Sequence, residues 1–185
     1  MCYFITGTIP KNIDIQKIND ISQKYGFKFD QISNTHIEKQ FNQDYKYISK
    51  RCSHCDCDTA IGCNNDDSKS NQPYTKQEIK KLQRKRWSDS KIERWKQEKE
   101  INFKKQKEEN IKYRNKKDYE SKNWVDFINE VNEIDIDFGL LLHFYKTSPT
   151  IEKFIIKEIV VVKSKSIDQN YIMLMKDDIL YHFKR

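Results

Sequence analysis

The sequence predicts an α+β fold: a largely antiparallel sheet, helices packed on one face, and a basic helical insertion. Three observations support this. Runs alternating between aromatic or β-branched and polar residues occur in both halves of the chain, and apolar residues recur at helical spacing at 15–25 and 124–134. Charge is also sharply segregated. Residues 74–123 carry 18 Lys plus Arg against 9 Asp plus Glu, while the remainder carries 17 against 19, so the net charge of +7 arises in one segment. The expected organisation is therefore 1–73 as the first part of the core with a cysteine-rich loop, 74–123 as a basic helical arm, and 124–185 as the second part of the core.

Each element has a local reason. Cys2 to Ile9 alternates and stops at Pro10, which reads as a strand. Asn12 or Asp14 can cap a helix whose Ile15, Ile18, Ile21 and Tyr25 share a face, with Gly26 placed to end it. Phe27 to Ile32 alternates like a half-buried strand, Asn34 to Phe41 fits a short helix, and Tyr45 to Ile48 fits a third strand that leads into the cysteines. Asn64 to Pro73 is a linker by composition. Thr75-x2-Glu78 and Ser90-x2-Glu93 match the capping box, so two helices or one kinked helix are expected in the arm. Trp124, Phe127, Ile128, Val131 and Ile134 form a core helix face. Phe138 to Tyr145 reads as a central strand, Phe154 to Lys163 as another, and Tyr171 to Met175 with Ile179 to Phe183 as a hairpin.

Four of the five cysteines fall within Arg51-Cys-Ser-His-Cys-Asp-Cys-Asp-Thr-Ala-Ile-Gly-Cys63. Thiolate and imidazole are the ligands zinc prefers, and cysteines two to four residues apart present two sulfurs from one turn. Cys52, Cys55, Cys57 and Cys63, with His54 as a substitute, are the candidate zinc ligands. Four ligands from twelve residues leave little scaffold, so Cys2 or a distant histidine is a candidate to complete a site built on Cys55 and Cys57. Asp56 and Asp58 read chiefly as solvated loop carboxylates, with support of the ligands as the other role.

A thiol-dependent enzyme of hydrolase or transferase type is the alternative. Cys2, Cys55 or Cys57 would be the nucleophile and His143, within the apolar Leu140 to Tyr145 run, the general base. Were Met1 removed, the α-amine of Cys2 could itself act as base. The Met-Cys opening resembles the N-terminal-nucleophile amidotransferases at those two residues, without their glycine-rich and oxyanion elements. His36 and His182 stand in no comparable pattern.

In the arm, Arg84, Lys85, Arg86 and Arg94 with Trp87 and Trp95 combine phosphate-neutralising charge with stacking surfaces, so nucleic acid or an acidic protein surface is the expected partner. No helix-turn-helix or RNP spacing accompanies them. No apolar run reaches membrane-spanning length, and no basic region precedes the first apolar stretch, so an intracellular, cytoplasmic protein without membrane contact is expected. The opening Met-Cys-Tyr-Phe-Ile-Thr-Gly-Thr-Ile-Pro, the Cys-Asp-Cys-Asp-Thr-x2-Gly motif and Gly-Leu-Leu-Leu-His-Phe-Tyr together resemble a family of small bacterial proteins. That resemblance implies a prokaryotic origin and no particular chemistry.

Overall fold

The computed structural model describes residues 1–52, 54–62 and 72–185. Its centre is a six-stranded mixed sheet in the order β2-β3-β1-β4-β6-β5, with β1 Cys2–Pro10, β2 Phe29–Gln31, β3 Tyr45–Lys50, β4 Phe138–Tyr145, β5 Glu158–Lys163 and β6 Ile179–Lys184. Every pairing is antiparallel except β5 with β6. The chain clusters into two compact units: Met1–Cys63 with Lys117–Arg185, which contains the sheet, and Asn64–Lys116.

The side-chain period of two sorts the sheet into two apolar faces. On one face, Ile48, Leu140 and Tyr181 lie in one register row through Gly7, Ile5 lies two residues along opposite Leu142, and all pack with helix α1 (Ile15–Ser22) and the C-terminal turns of helix α4 (Asp89–Glu133). Trp124 anchors that face: it is fully buried, stacked on Phe27 with ring centroids 4.0 Å apart and edge-on to Phe127. On the other face, Tyr47, Leu141 and Leu180 meet Ile37 of the short helix α2 (Thr35–Glu38).

The expected start and stop signals operate. Asp14 accepts from the Gln16 amide at 3.0 Å to begin α1, which tightens into a 3-10 turn and ends at Gly26, whose φ of 78° suits glycine. Helix α3 (Lys76–Arg84) carries the complete Thr75/Glu78 capping box.

Three expectations are corrected. Tyr171 to Met175 is not half of a hairpin, because Asp168 accepts from the Tyr171 amide at 2.7 Å and starts helix α5 (Gln169–Met173). Ile172 of that helix is buried, and β6 instead lies parallel to β5 across the connection that α5 occupies. Phe154 to Lys157 is not strand: the Gln40 amide accepts from Ile156 N and donates to Phe154 O, both at 2.8 Å, replacing ladder bonds with side-chain bonds. Finally, the arm has the two helices expected, α3 and α4, but Ser90 is the second residue of α4 rather than its cap, and α4 runs unbroken into the core helix expected from Trp124. No Gly or Pro interrupts 89–133, so nothing local divides it.

Candidate metal centre

Strand β3 pairs with only the second half of β1, from Thr6↔Ser49 to Pro10↔Tyr45. On that side of the sheet the amides and carbonyls of the first residues of β1 therefore need other partners. The cysteine loop supplies them. The Asp56 amide donates to Tyr3 O at 2.8 Å, Cys57 Sγ accepts from the Tyr3 amide at 3.3 Å, and Asp56 Oδ2 accepts from the Ile5 amide at 2.9 Å.

This docking brings the thiols of Cys55 and Cys57 beside Cys2. The three sulfurs all lie within 4.8 Å of one another, close enough to hold a metal ion, and all three residues are half-buried. Sulfurs bound at about 2.3 Å to one tetrahedral ion stand about 3.8 Å apart, so closing on an ion needs shifts of no more than about 1 Å. Among the described residues no other group of three His, Cys, Asp or Glu converges this closely.

The rest of the motif holds the loop. Asp56 is fully buried, and besides the Ile5 amide its carboxylate takes Lys50 Nζ at 2.5 Å, with the lysine side chain only 10% exposed. The expectation that Asp56 is chiefly a solvated carboxylate is thus corrected: its bonds to β1 and Lys50 replace water. Asp58 is exposed, as expected. Thr59 folds the loop back by bonding Asp56 O through its hydroxyl at 2.7 Å, and the Gly62 amide returns to that hydroxyl at 3.2 Å. A Cβ at Gly62 would lie 2.0 Å from Asp56 O, so only glycine fits without displacing backbone. Ala60 N donates to Glu120 of α4 at 2.9 Å, and Ile61 enters the core.

The thiols differ in character. Hydrogen bonds from the Cys57 amide, and then from the Cys57 and Cys2 thiols, hold Cys55 below the ordinary thiol pKa. Burial pushes Cys57 up, and burial with the Asp56 carboxylate pushes Cys52 up. Of these three thiols, Cys55 alone is shifted toward the thiolate.

Of the candidate ligands, the structure joins Cys55 and Cys57 to Cys2. Cys52 and His54 are outside that group: Cys52 Sγ points at His54 O (3.6 Å) and Asp56 (4.0 Å). Cys63 lies outside the described residues. His143 is engaged elsewhere. Its Nδ1 is 2.5 Å from Asp178 and its Nε2 3.5 Å from Glu152, while Phe154 stacks on the ring at 3.6 Å. Lys157 is also paired with Asp178 at 2.8 Å. His36 is exposed in α2, and His182 is buried edge-on to Tyr45, where burial lowers its pKa.

In the second unit, Arg84, Lys85, Arg86 and Arg94 are exposed, while Trp87 and Trp95 are half-buried. Lys91 lies over the Trp87 ring at 4.2 Å and Lys99 over Trp95 at 5.6 Å, so one face of each indole already carries a cation.

Among the described residues no helix is long and apolar enough to cross a membrane. Comparisons with protein-family models, curated proteins and solved structures return no match.

Proposed function

We propose that the chain is a zinc-stabilised binding module in which Cys2, Cys55 and Cys57 hold the ion and the basic helical unit engages nucleic acid. The observation that carries the metal reading is the convergence of three thiols from segments more than fifty residues apart. An all-sulfur donor set suits a borderline-soft d10 ion. Its role is structural because the same loop serves the β1 backbone groups that β3 leaves unpaired, so binding energy becomes folding energy. Tetrahedral zinc takes a fourth ligand, for which Cys52, His54 and Cys63 are the candidates the sequence supplies.

The test is elemental analysis of protein purified without chelator, beside Cys55→Ala/Cys57→Ala. About one zinc per chain, lost in the variant together with thermal stability, is the expected result. Metal-free wild type of unchanged stability on zinc addition would overturn the reading.

The partner half rests on the excess of cations in 74–123. Because the indoles already carry lysines, affinity should come mainly from phosphate neutralisation and fall steeply with salt. Fluorescence anisotropy with labelled single- and double-stranded oligonucleotides tests this. Arg84→Gln/Lys85→Gln/Arg86→Gln should weaken binding and flatten its salt dependence; binding indifferent to salt and to these changes would refute it. The thiol-enzyme alternative is less well supported, since carboxylates face both ring nitrogens of His143 and leave neither for a thiol.

A further inference from the structure

We propose that Cys2 and Cys55 form a peroxide-responsive pair whose disulfide expels the metal, making the centre a site of reversible oxidation. The proposal rests on the zinc reading for the expelled ion, but the disulfide itself depends only on the thiol geometry.

That geometry selects both partners. Cys55 lies on the loop that Asp56 docks onto β1, and its sulfur is within 4.8 Å of those of both Cys2 and Cys57. Cys57 is held by the Tyr3 amide and is separated from Cys55 by one residue, which makes a Cys55–Cys57 bond a strained small ring. Cys2 opens β1, comes from a separate segment, and has its sulfur within 4.8 Å of Cys55. The Cys52 thiol lies outside the group, directed at His54 O and Asp56, so it does not compete.

The chemistry balances with a hydroperoxide as the only added reagent. Cys55 sulfur attacks one peroxide oxygen, the O–O bond breaks, and hydroxide leaves for hydrogen peroxide, giving the sulfenic acid. Cys2 sulfur then attacks Cys55 sulfur, the S–O bond breaks, and the departing hydroxide is protonated to water. The two sulfurs together lose two electrons, and one peroxide is reduced to two waters. A zinc ion left with Cys57 alone from the trio loses two of its three thiolates and dissociates. A dithiol reductant with added zinc reverses the change.

The experiment uses the full chain. Zinc-loaded protein is treated with one equivalent of hydrogen peroxide, release is followed with a chromogenic zinc chelator, and remaining thiols are blocked with N-ethylmaleimide. Combined trypsin and Asp-N digestion then cuts after Lys11 and Arg51 and before Asp56 and Asp58, placing Cys2, Cys55 and Cys57 in separate peptides. The expected result is a cross-link between the Cys2 and Cys55 peptides, formed in step with zinc release and reversed by dithiothreitol. Repeated on metal-free Cys52→Ser, which leaves Cys55 the only thiol of its peptide, peroxide treatment should still give the cross-link to the Cys2 peptide, and loss of the cross-link there would overturn the pair. A Cys55–Cys57 cross-link, or no Cys2–Cys55 peptide after zinc has left, would overturn the pair. Protein that purifies without zinc defeats the zinc reading alone, because mapping the wild-type metal-free chain still decides the disulfide and needs no variant to fold.

Discussion

Replacing Asp56 with alanine should be among the most damaging single changes in the chain. The carboxylate is fully buried and takes Lys50 Nζ at 2.5 Å and the Ile5 amide at 2.9 Å. Truncation strands a lysine that is only 10% exposed and a strand amide whose acceptor is gone. Breaking a buried ion pair by removing one partner costs about 3–5 kcal/mol, a range that already includes much of the stranded-group penalty. For a chain of this size that lowers Tm by on the order of 10 °C. Asp56→Asn keeps an acceptor for Ile5 and loses the charge, so it should fall between alanine and wild type. Lys50→Met/Asp56→Ala removes the stranded cation and should recover part of the loss, the signature of coupling rather than of two independent sites. The assay is urea unfolding followed by tryptophan fluorescence, with chelator present so that metal binding does not mask the difference. A cost for Asp56→Ala below about 1 kcal/mol, or a double variant whose loss is the sum of the singles, would refute the clasp described for this residue.

Two further predictions follow from neighbouring geometry. Gly62→Ala forces a Cβ against the Asp56 carbonyl and should cost about 1–3 kcal/mol while weakening zinc retention; unfolding curves and zinc content check both. Stability should also fall in acid. Burial would raise the Asp178 pKa, but Lys157 and His143 outweigh it and hold the group below the usual carboxylate value; at Glu152 the amide and hydroxyl of Thr147, with Lys146 and His143, likewise outweigh burial. A carboxylate with a depressed folded pKa binds more protons when unfolded. Its contribution is therefore complete above the unfolded value of about 4 and is lost as pH falls through the folded one. Urea midpoints from about pH 6 to pH 3 measure the decline, and Asp178→Asn should be less stable near neutrality with a shallower acid slope.

Much of the sheet is written locally. Strand β1 alternates residue types although both its faces are covered from Ile5 to Ile9, β4 is an apolar run, and the caps at Asp14 and Thr75 act as their residue types suggest. The misreadings have physical causes. Tyr171 to Met175 has the composition of a strand, yet the Asp168 cap and one buried position, Ile172, decide for a helix. The single helix α4 was legible from the absence of Gly and Pro across 89–133, but the change from charged to apolar composition near Trp124 suggests a boundary. At the centre, Cys55 and Cys57 are visible by clustering and Cys2 as a candidate to complete their site, but what brings Cys2 there, the β1–β3 register ending early, is a relation no window of sequence contains. Asp56 looks like any loop carboxylate until Lys50 and the Ile5 amide face it. Gly62 and Thr59 were the available clues that the loop is tightly folded.

Because a loop rather than a strand completes the first residues of β1, that edge has its own cooperativity. Farther along, β1 amides are locked by ladders on both sides and exchange with solvent only when larger parts of the sheet open. The amides of Tyr3 and Ile5 depend instead on a sulfur and a carboxylate of one short loop. Lifting that loop exposes them while the remaining strands stay paired. Their hydrogen-exchange rates thus form a local gauge, set apart from global unfolding, of how firmly the cysteines are gathered.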